Sequence, residues 1–122
     1  MIVAIDDQPE ILFVIKRYLQ DKFNITTFQN ELEAIEFAKK NRDDIDLIIV
    51  DFNMPRLNGI EFIKKLKDEK YNNKFLIVSA EHEDHLENAR GGDANIHYLI
   101  KPVLKSNLIE KVTELVPPKP FF

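Results

Sequence analysis

The sequence predicts an α/β protein: a parallel β-sheet with helices on both faces. Three observations carry that prediction. Short apolar runs alternate with amphipathic stretches about five times along the chain, the pattern of repeated strand–helix–strand crossovers. One run, Leu47-Ile48-Ile49-Val50, is continuously apolar and mostly β-branched, as expected of a strand buried on both faces. Polar residues close the runs: Asp6-Asp7, Asp51, Ser79 and Lys101 each follow an apolar stretch directly.

The elements follow in order. Ile2–Ile5 reads as the first strand. Pro9 suits the first turn of a helix, and Ile11, Leu12, Ile15, Tyr18 and Leu19 share one helical face, with Phe13 assigned to the core as well. Asn24–Phe28 is a weakly patterned second strand. Asn30 followed by Glu33 has the form of a capping box, opening a helix with Ala34, Phe37 and Ala38 inward.

Ile45–Val50 is the third strand. Asn58-Gly59 is a turn signal, and Ile60, Phe62, Ile63 and Leu66 mark a helix with Lys67 at its edge. Lys74–Val78 is the fourth strand. A short polar helix over Glu81–Arg90 follows, broken by Gly91-Gly92. Ile96–Ile100 is the fifth strand, and Leu104–Val116 carries Leu104, Leu108, Val112 and Leu115 as a last helical stripe.

Composition narrows the class. At 122 residues, length favours one domain. With no cysteine, neither a disulfide framework nor a thiolate metal site is available, which fits a reducing compartment. The first residues, MIVAIDDQPE, lack a basic stretch and so do not read as a signal peptide. No apolar run has the length of a membrane span. A net charge of −4 offers no basic footprint for nucleic acid. The expectation is a soluble, cytoplasmic domain.

In open parallel sheets, ligands bind at the carboxyl ends of the strands. Asp6-Asp7 end the first strand, Asp51 the third, Ser79 the fourth and Lys101 the fifth, so all converge on one edge. Carboxylates ~5 Å apart repel by about 3 kcal/mol per pair at an effective dielectric near 20, a cost that a hard cation offsets. An all-oxygen site with open positions suits Mg²⁺ shared with a phosphate. Lys101 is a compact cation for a phosphoryl oxygen, Ser79 supplies a hydroxyl, and Asp51 becomes a nucleophile as well as a ligand. The set describes phosphoryl transfer to a carboxylate. Taken singly, each residue has an ordinary reading: acids at a helix N-terminus, an aspartate in a turn, a solvated lysine.

Taken together, Asp6-Asp7, Asp51-Phe52-Asn53-Met54-Pro55, Asn58-Gly59, Ser79-Ala80 and Lys101-Pro102 resemble the receiver domain of two-component response regulators. The likeness holds in order, spacing and strand-end placement, and the pairing of Asn53 with Glu81 is similar to that of the bacterial chemotaxis regulator. It covers Met1 to about Val116, so that 1–116 is the receiver domain and 117–122 a Pro-rich tail or linker remnant. It implies a (βα)5, flavodoxin-like fold with strand order 2-1-3-4-5.

The resemblance further implies that Asp51 accepts a phosphoryl group from a sensor histidine kinase or a histidine phosphotransfer protein. Asp7, Asp51 and the Asn53 backbone carbonyl would ligate Mg²⁺, with Asp6 acting largely through water. Lys101, Ser79 and the Ala80 N–H would contact the phosphoryl group. Ser79 and Tyr98 would form the switch, the Lys101–Pro102 peptide would be cis, and Asn53 and Glu81 would tune dephosphorylation. Such a domain is a switch, not an enzyme acting on a separate substrate, although it promotes its own phosphorylation and dephosphorylation. Output would run through the fourth helix, fifth strand and fifth helix to a downstream protein or to an output domain outside this chain. No nucleic acid or membrane is expected as a partner.

Two departures stand out. Ser79 replaces the commoner threonine, and Ala94-Asn95 stand where the family has Gly-Ala before the switch aromatic. His82 and His85, with Glu81, have a spacing that could hold zinc, but surface positions are favoured; His97 is expected to face outward or toward a partner. The tail Pro117–Phe122 reads first as a linker remnant, then as a free C-terminal peptide, then as a docking motif. Two further functions compete with the switch. One is a receiver-like interaction module that works unphosphorylated. The other is a haloacid-dehalogenase-type phosphatase, whose nucleophile normally ends the first core strand with a second acid two residues on; here that residue is Asn53.

Overall fold

The computed structural model describes residues 1–80 and 91–116. The short helix expected over 81–90, with Glu81, His82 and His85, and the tail 117–122 lie outside the described residues.

Five parallel strands form one sheet in the order β2-β1-β3-β4-β5. They are β1 (Ile2–Ile5), β2 (Ile25–Phe28), β3 (Leu47–Asp51), β4 (Lys74–Ser79) and β5 (Ile96–Ile100). Four α-helices accompany them among the described residues: α1 (Pro9–Leu19), α2 (Glu31–Asn41), α3 (Gly59–Asp68) and α4 (Lys105–Leu115). The predicted fold class and strand order both hold.

Register explains the convergence of polar strand ends. Ile5 pairs with Val50, Asp51 with Val78, and Ser79 with Ile100. All strands are parallel, so Asp6, Asp51, Ser79 and Lys101 emerge along the same edge.

Each sheet face has its own apolar core, as a sheet covered on both sides requires. On one face Val3, Ile5, Ile48 and Val50 pack with Ala34 and Ala38 of α2 and Phe62, Ile63 and Leu66 of α3. On the other, Ile2, Ala4, Leu47 and Ile49 pack with Leu12, Ile15 and Leu19 of α1 and Leu108 and Val112 of α4. The alternation along β1 and β3 assigns neighbouring side chains to opposite faces.

Helix starts follow local chemistry. Pro9 sits at the beginning of α1, where its missing N–H costs nothing. Asn30 caps α2, its side chain accepting from the Leu32 and Glu33 N–H groups at 2.9 and 3.1 Å. The complete reciprocal box occurs at α3 instead. There Asn58 Oδ1 accepts from Glu61 N–H at 2.8 Å, and Glu61 Oε1 accepts from Asn58 N–H at 3.0 Å.

Several expectations are corrected. Phe13 is 65% exposed. It follows Leu12 by about 100° around the helix, which turns it away from the Leu12–Ile15–Leu19 stripe. Leu104 is also exposed, because it occupies the extended N-cap position of α4 and not a turn of the helix. The third strand begins at Leu47 and includes Asp51, while Arg42–Asp44 form a 3₁₀ turn before it.

The departure at Ala94-Asn95 is absorbed by Asp93, whose carboxylate accepts from Asn95 N–H at 2.9 Å. Asn95 O then accepts from Phe75 N–H at 2.8 Å, so β5 joins the sheet in register. Asp93 also forms an ion pair with Lys67 of α3. Gly91 and Gly92 both have positive φ, 64° and 79°, and supply the turn that precedes it. His97 on β5 is half-buried.

Candidate functional site

The site is assembled by strand ends. The buried run Ile2–Ile5 carries Asp6 to the sheet edge, where its N–H still pairs with Phe28 O at 3.2 Å. Asp6 is 2% exposed, and one of its carboxylate oxygens accepts from Gln8 N–H at 2.9 Å. Asp7, next along the chain, is exposed. Asp51 is the last residue of β3 and only 6% exposed. One carboxylate oxygen from each of the three lies within 4.8 Å of the other two.

Lys101 follows β5 and faces this cluster. Its N–H donates to Ser79 O at 2.7 Å, which extends the β4–β5 ladder by one bond. Its Nζ lies 3.1 Å from Asp51 Oδ1. That oxygen is buried and receives no hydrogen bond, so the ammonium is an electrostatic partner without hydrogen-bond alignment.

The electrostatics register the crowding. The Asp6 carboxyl is pushed up from 3.8 to about 6, chiefly by burial. The Gln8 N–H lowers it, the negative Asp51 raises it, Lys101 lowers it, and Asp7 raises it. A cluster in which Lys101 leaves a buried carboxylate oxygen without a hydrogen bond among the described residues fits a hard divalent cation. The donors are all oxygen, and Asp7 leaves the cluster open to solvent.

Asn53 is exposed two residues past Asp51, in a loop held on both sides. Phe52 N–H donates to Val78 O at 3.0 Å, and Phe52 O accepts from Gly59 N–H at 2.8 Å. Ser79 is fully buried at the end of β4, and Ala80 beyond it is exposed. Tyr98 is half-buried and packs on the α2–α3 core. The Lys101–Pro102 peptide is cis. Glu81 lies outside the described residues.

One feature was not legible as a turn signal. Asn58-Gly59 is a helix cap, and Gly59 lies against the backbone just past Asp51. The signal was present, since Asn58 and Glu61 repeat the Asn-x-x-Glu spacing read at Asn30.

Comparison with known proteins agrees with this geometry. The family model for the response regulator receiver domain matches residues 2–113. Among curated relatives, the response regulator SaeR of Staphylococcus aureus (strain USA300) is 25% identical over 119 residues, covering 94% of this chain and 50% of SaeR. The chain thus spans about half the length of the curated relatives it matches. Among solved structures, Vibrio cholerae chemotaxis protein CheY4 superposes with a TM-score of 0.83 at 25% identity, covering 94% of this chain and 97% of that one. The response regulator protein TrrA from Thermotoga maritima, solved in complex with Mg²⁺–BeF, gives 0.77 at 28% identity, covering 94% and 97%. With the strand order, the acidic edge and the family match in agreement, this chain belongs to the response regulator receiver domain family of two-component signalling.

Proposed function

We propose that this domain is a phosphorylation-controlled switch in which Asp51 accepts a phosphoryl group from the phosphohistidine of a sensor kinase or phosphotransfer protein. The observation that carries the reading is the grouping of Asp6, Asp7 and Asp51 within 4.8 Å, with Lys101 Nζ 3.1 Å from Asp51. In the transfer, an Asp51 carboxylate oxygen forms the new O–P bond as the N–P bond breaks. The electron pair returns to the imidazole. Burial at the end of a rigid strand fixes the carboxylate for in-line attack.

Mg²⁺ is the proposed cofactor, held by Asp7, Asp51 and the Asn53 carbonyl, with Asp6 acting through water. When bound it would supply charge neutralisation between the acids and the incoming phosphoryl oxygens. Lys101, the Ser79 hydroxyl and the Ala80 N–H are assigned to those same oxygens. Asn53 and Glu81 would tune hydrolysis, so the domain promotes its own phosphorylation and dephosphorylation without turning over a separate substrate. Ser79 drawn toward the phosphoryl group and Tyr98 moving with it would bias a two-state equilibrium read on the 81–90, β5 and α4 surface. The reader would be a downstream protein or an output domain outside this chain, in the cytoplasm.

Two alternatives fare worse. A silent interaction module has no use for the acid triad and its lysine. A dehalogenase-type phosphatase would place its nucleophile on the first core strand, whereas Asp51 ends β3. The test is intact mass after incubation with Mg²⁺ and acetyl phosphate. Wild type should gain one phosphoryl group and Asp51→Asn none; no gain in wild type despite Mg²⁺ binding would favour the interaction module.

A further inference from the structure

We propose that Gly59 is a positioning residue for the cation and phosphoacceptor site. It holds the 52–58 loop shut against the end of β3. The inference rests on reading Asp6, Asp7 and Asp51 as a divalent-cation site, and it concerns a residue that contacts neither cation nor phosphoryl group.

Backbone conformation does not explain a glycine here. Gly59 opens α3 and is not among the positive-φ residues, so alanine would suit the helix better. What demands glycine is proximity. A Cβ on Gly59 would sit 3.2 Å from Phe52 Cα and 3.3 Å from Asp51 O. Both neighbours are backbone atoms, so neither can rotate away as a side chain would.

The surrounding bonds leave that backbone little room. From one side Phe52 N–H donates to Val78 O of β4; from the other, Gly59 N–H donates to Phe52 O at 2.8 Å. The Asn58–Glu61 box then fixes the first turn of α3. The backbone just past Asp51 is therefore clamped between β4 and α3, and Asn53 follows directly. A methyl group on Gly59 would displace the peptides that aim the Asp51 carboxylate and the Asn53 carbonyl, because no softer element lies between them.

The experiment is a Mg²⁺ titration of the full chain followed by backbone amide NMR, with thermal melting alongside. Gly59→Ala should weaken Mg²⁺ binding by about tenfold or more and shift the Phe52 and Asn53 amides before metal is added. An affinity within twofold of wild type would overturn the proposal. Should Gly59→Ala not fold, Asn58→Ala loosens the same clamp without adding an atom, and Asn30→Ala removes the matching cap from α2. Loss of Mg²⁺ affinity in Asn58→Ala alone supports the proposal, and equal affinities in the two cap variants overturn it. No saturable Mg²⁺ binding by wild type would instead overturn the cation-site reading on which the proposal stands.

Discussion

Lys101 Nζ stands 3.1 Å from Asp51 Oδ1, the buried carboxylate oxygen that receives no hydrogen bond. The ammonium thus competes with any divalent cation for the same negative charge while being suited to meet an incoming phosphoryl oxygen. Lys101→Ala should therefore have opposite effects on two measurements. Mg²⁺ affinity should rise about fivefold, since a positive charge leaves the site. Phosphoryl gain from acetyl phosphate should slow about a hundredfold, as expected when an oriented donor is lost. Titration and intact mass read the two effects separately.

Asp6 links the site to stability. Its folded-state pKa is about 6, above the ordinary 3.8. Between these values the folded state binds more protons than the unfolded one, so its contribution to stability falls as pH rises. Above pH 6 the full cost applies, on the order of 3 kcal/mol. Asp6→Asn should then stabilise the metal-free protein by about 1–3 kcal/mol at pH 7.5, the gain shrinking toward pH 4. Urea melts in EDTA at both pH values check the sign.

Ser79 is fully buried at the end of β4. Ser79→Ala should leave stability within about 1.5 kcal/mol of wild type and still allow Asp51 to gain a phosphoryl group. The response of Tyr98 and β5 to phosphorylation should weaken. Amide NMR with and without phosphodonor measures that loss, and an undiminished response would remove Ser79 from the switch.

The two phenylalanines assigned to helical stripes should behave differently. Phe62 is fully buried in the α2–α3 core, so Phe62→Ala should cost about 3–5 kcal/mol. Phe13 is mostly exposed, and Phe13→Ala should change stability by less than about 0.5 kcal/mol. Chemical denaturation of both variants tests the burial assignment directly.

The sheet was readable from the sequence because strands buried on both faces need unbroken apolar runs, and Leu47–Val50 has no other comfortable home. Asp6, Asp51 and Lys101 were readable for a related reason: parallel register converts strand ends into neighbours. Periodicity served less well at helix margins. Phe13 is adjacent to a genuine stripe, and Leu104 precedes one, so apolar character alone placed both in the core. Gly59 was hidden because a close approach to backbone depends on tertiary position, while Asn-Gly is equally common in turns. Asp93, which turns the chain into β5 and pairs with Lys67, lay outside the motif it replaces.

The end of α4 has its own anchor: Lys74 Nζ donates to Leu115 O at 2.9 Å. Lys74 opens β4 and Ser79 closes it, so one extended strand of about 20 Å ties the last turn of α4 to the acidic edge. The reacting end and the terminal helix turn are held a fixed span apart, like the two handles of a lever.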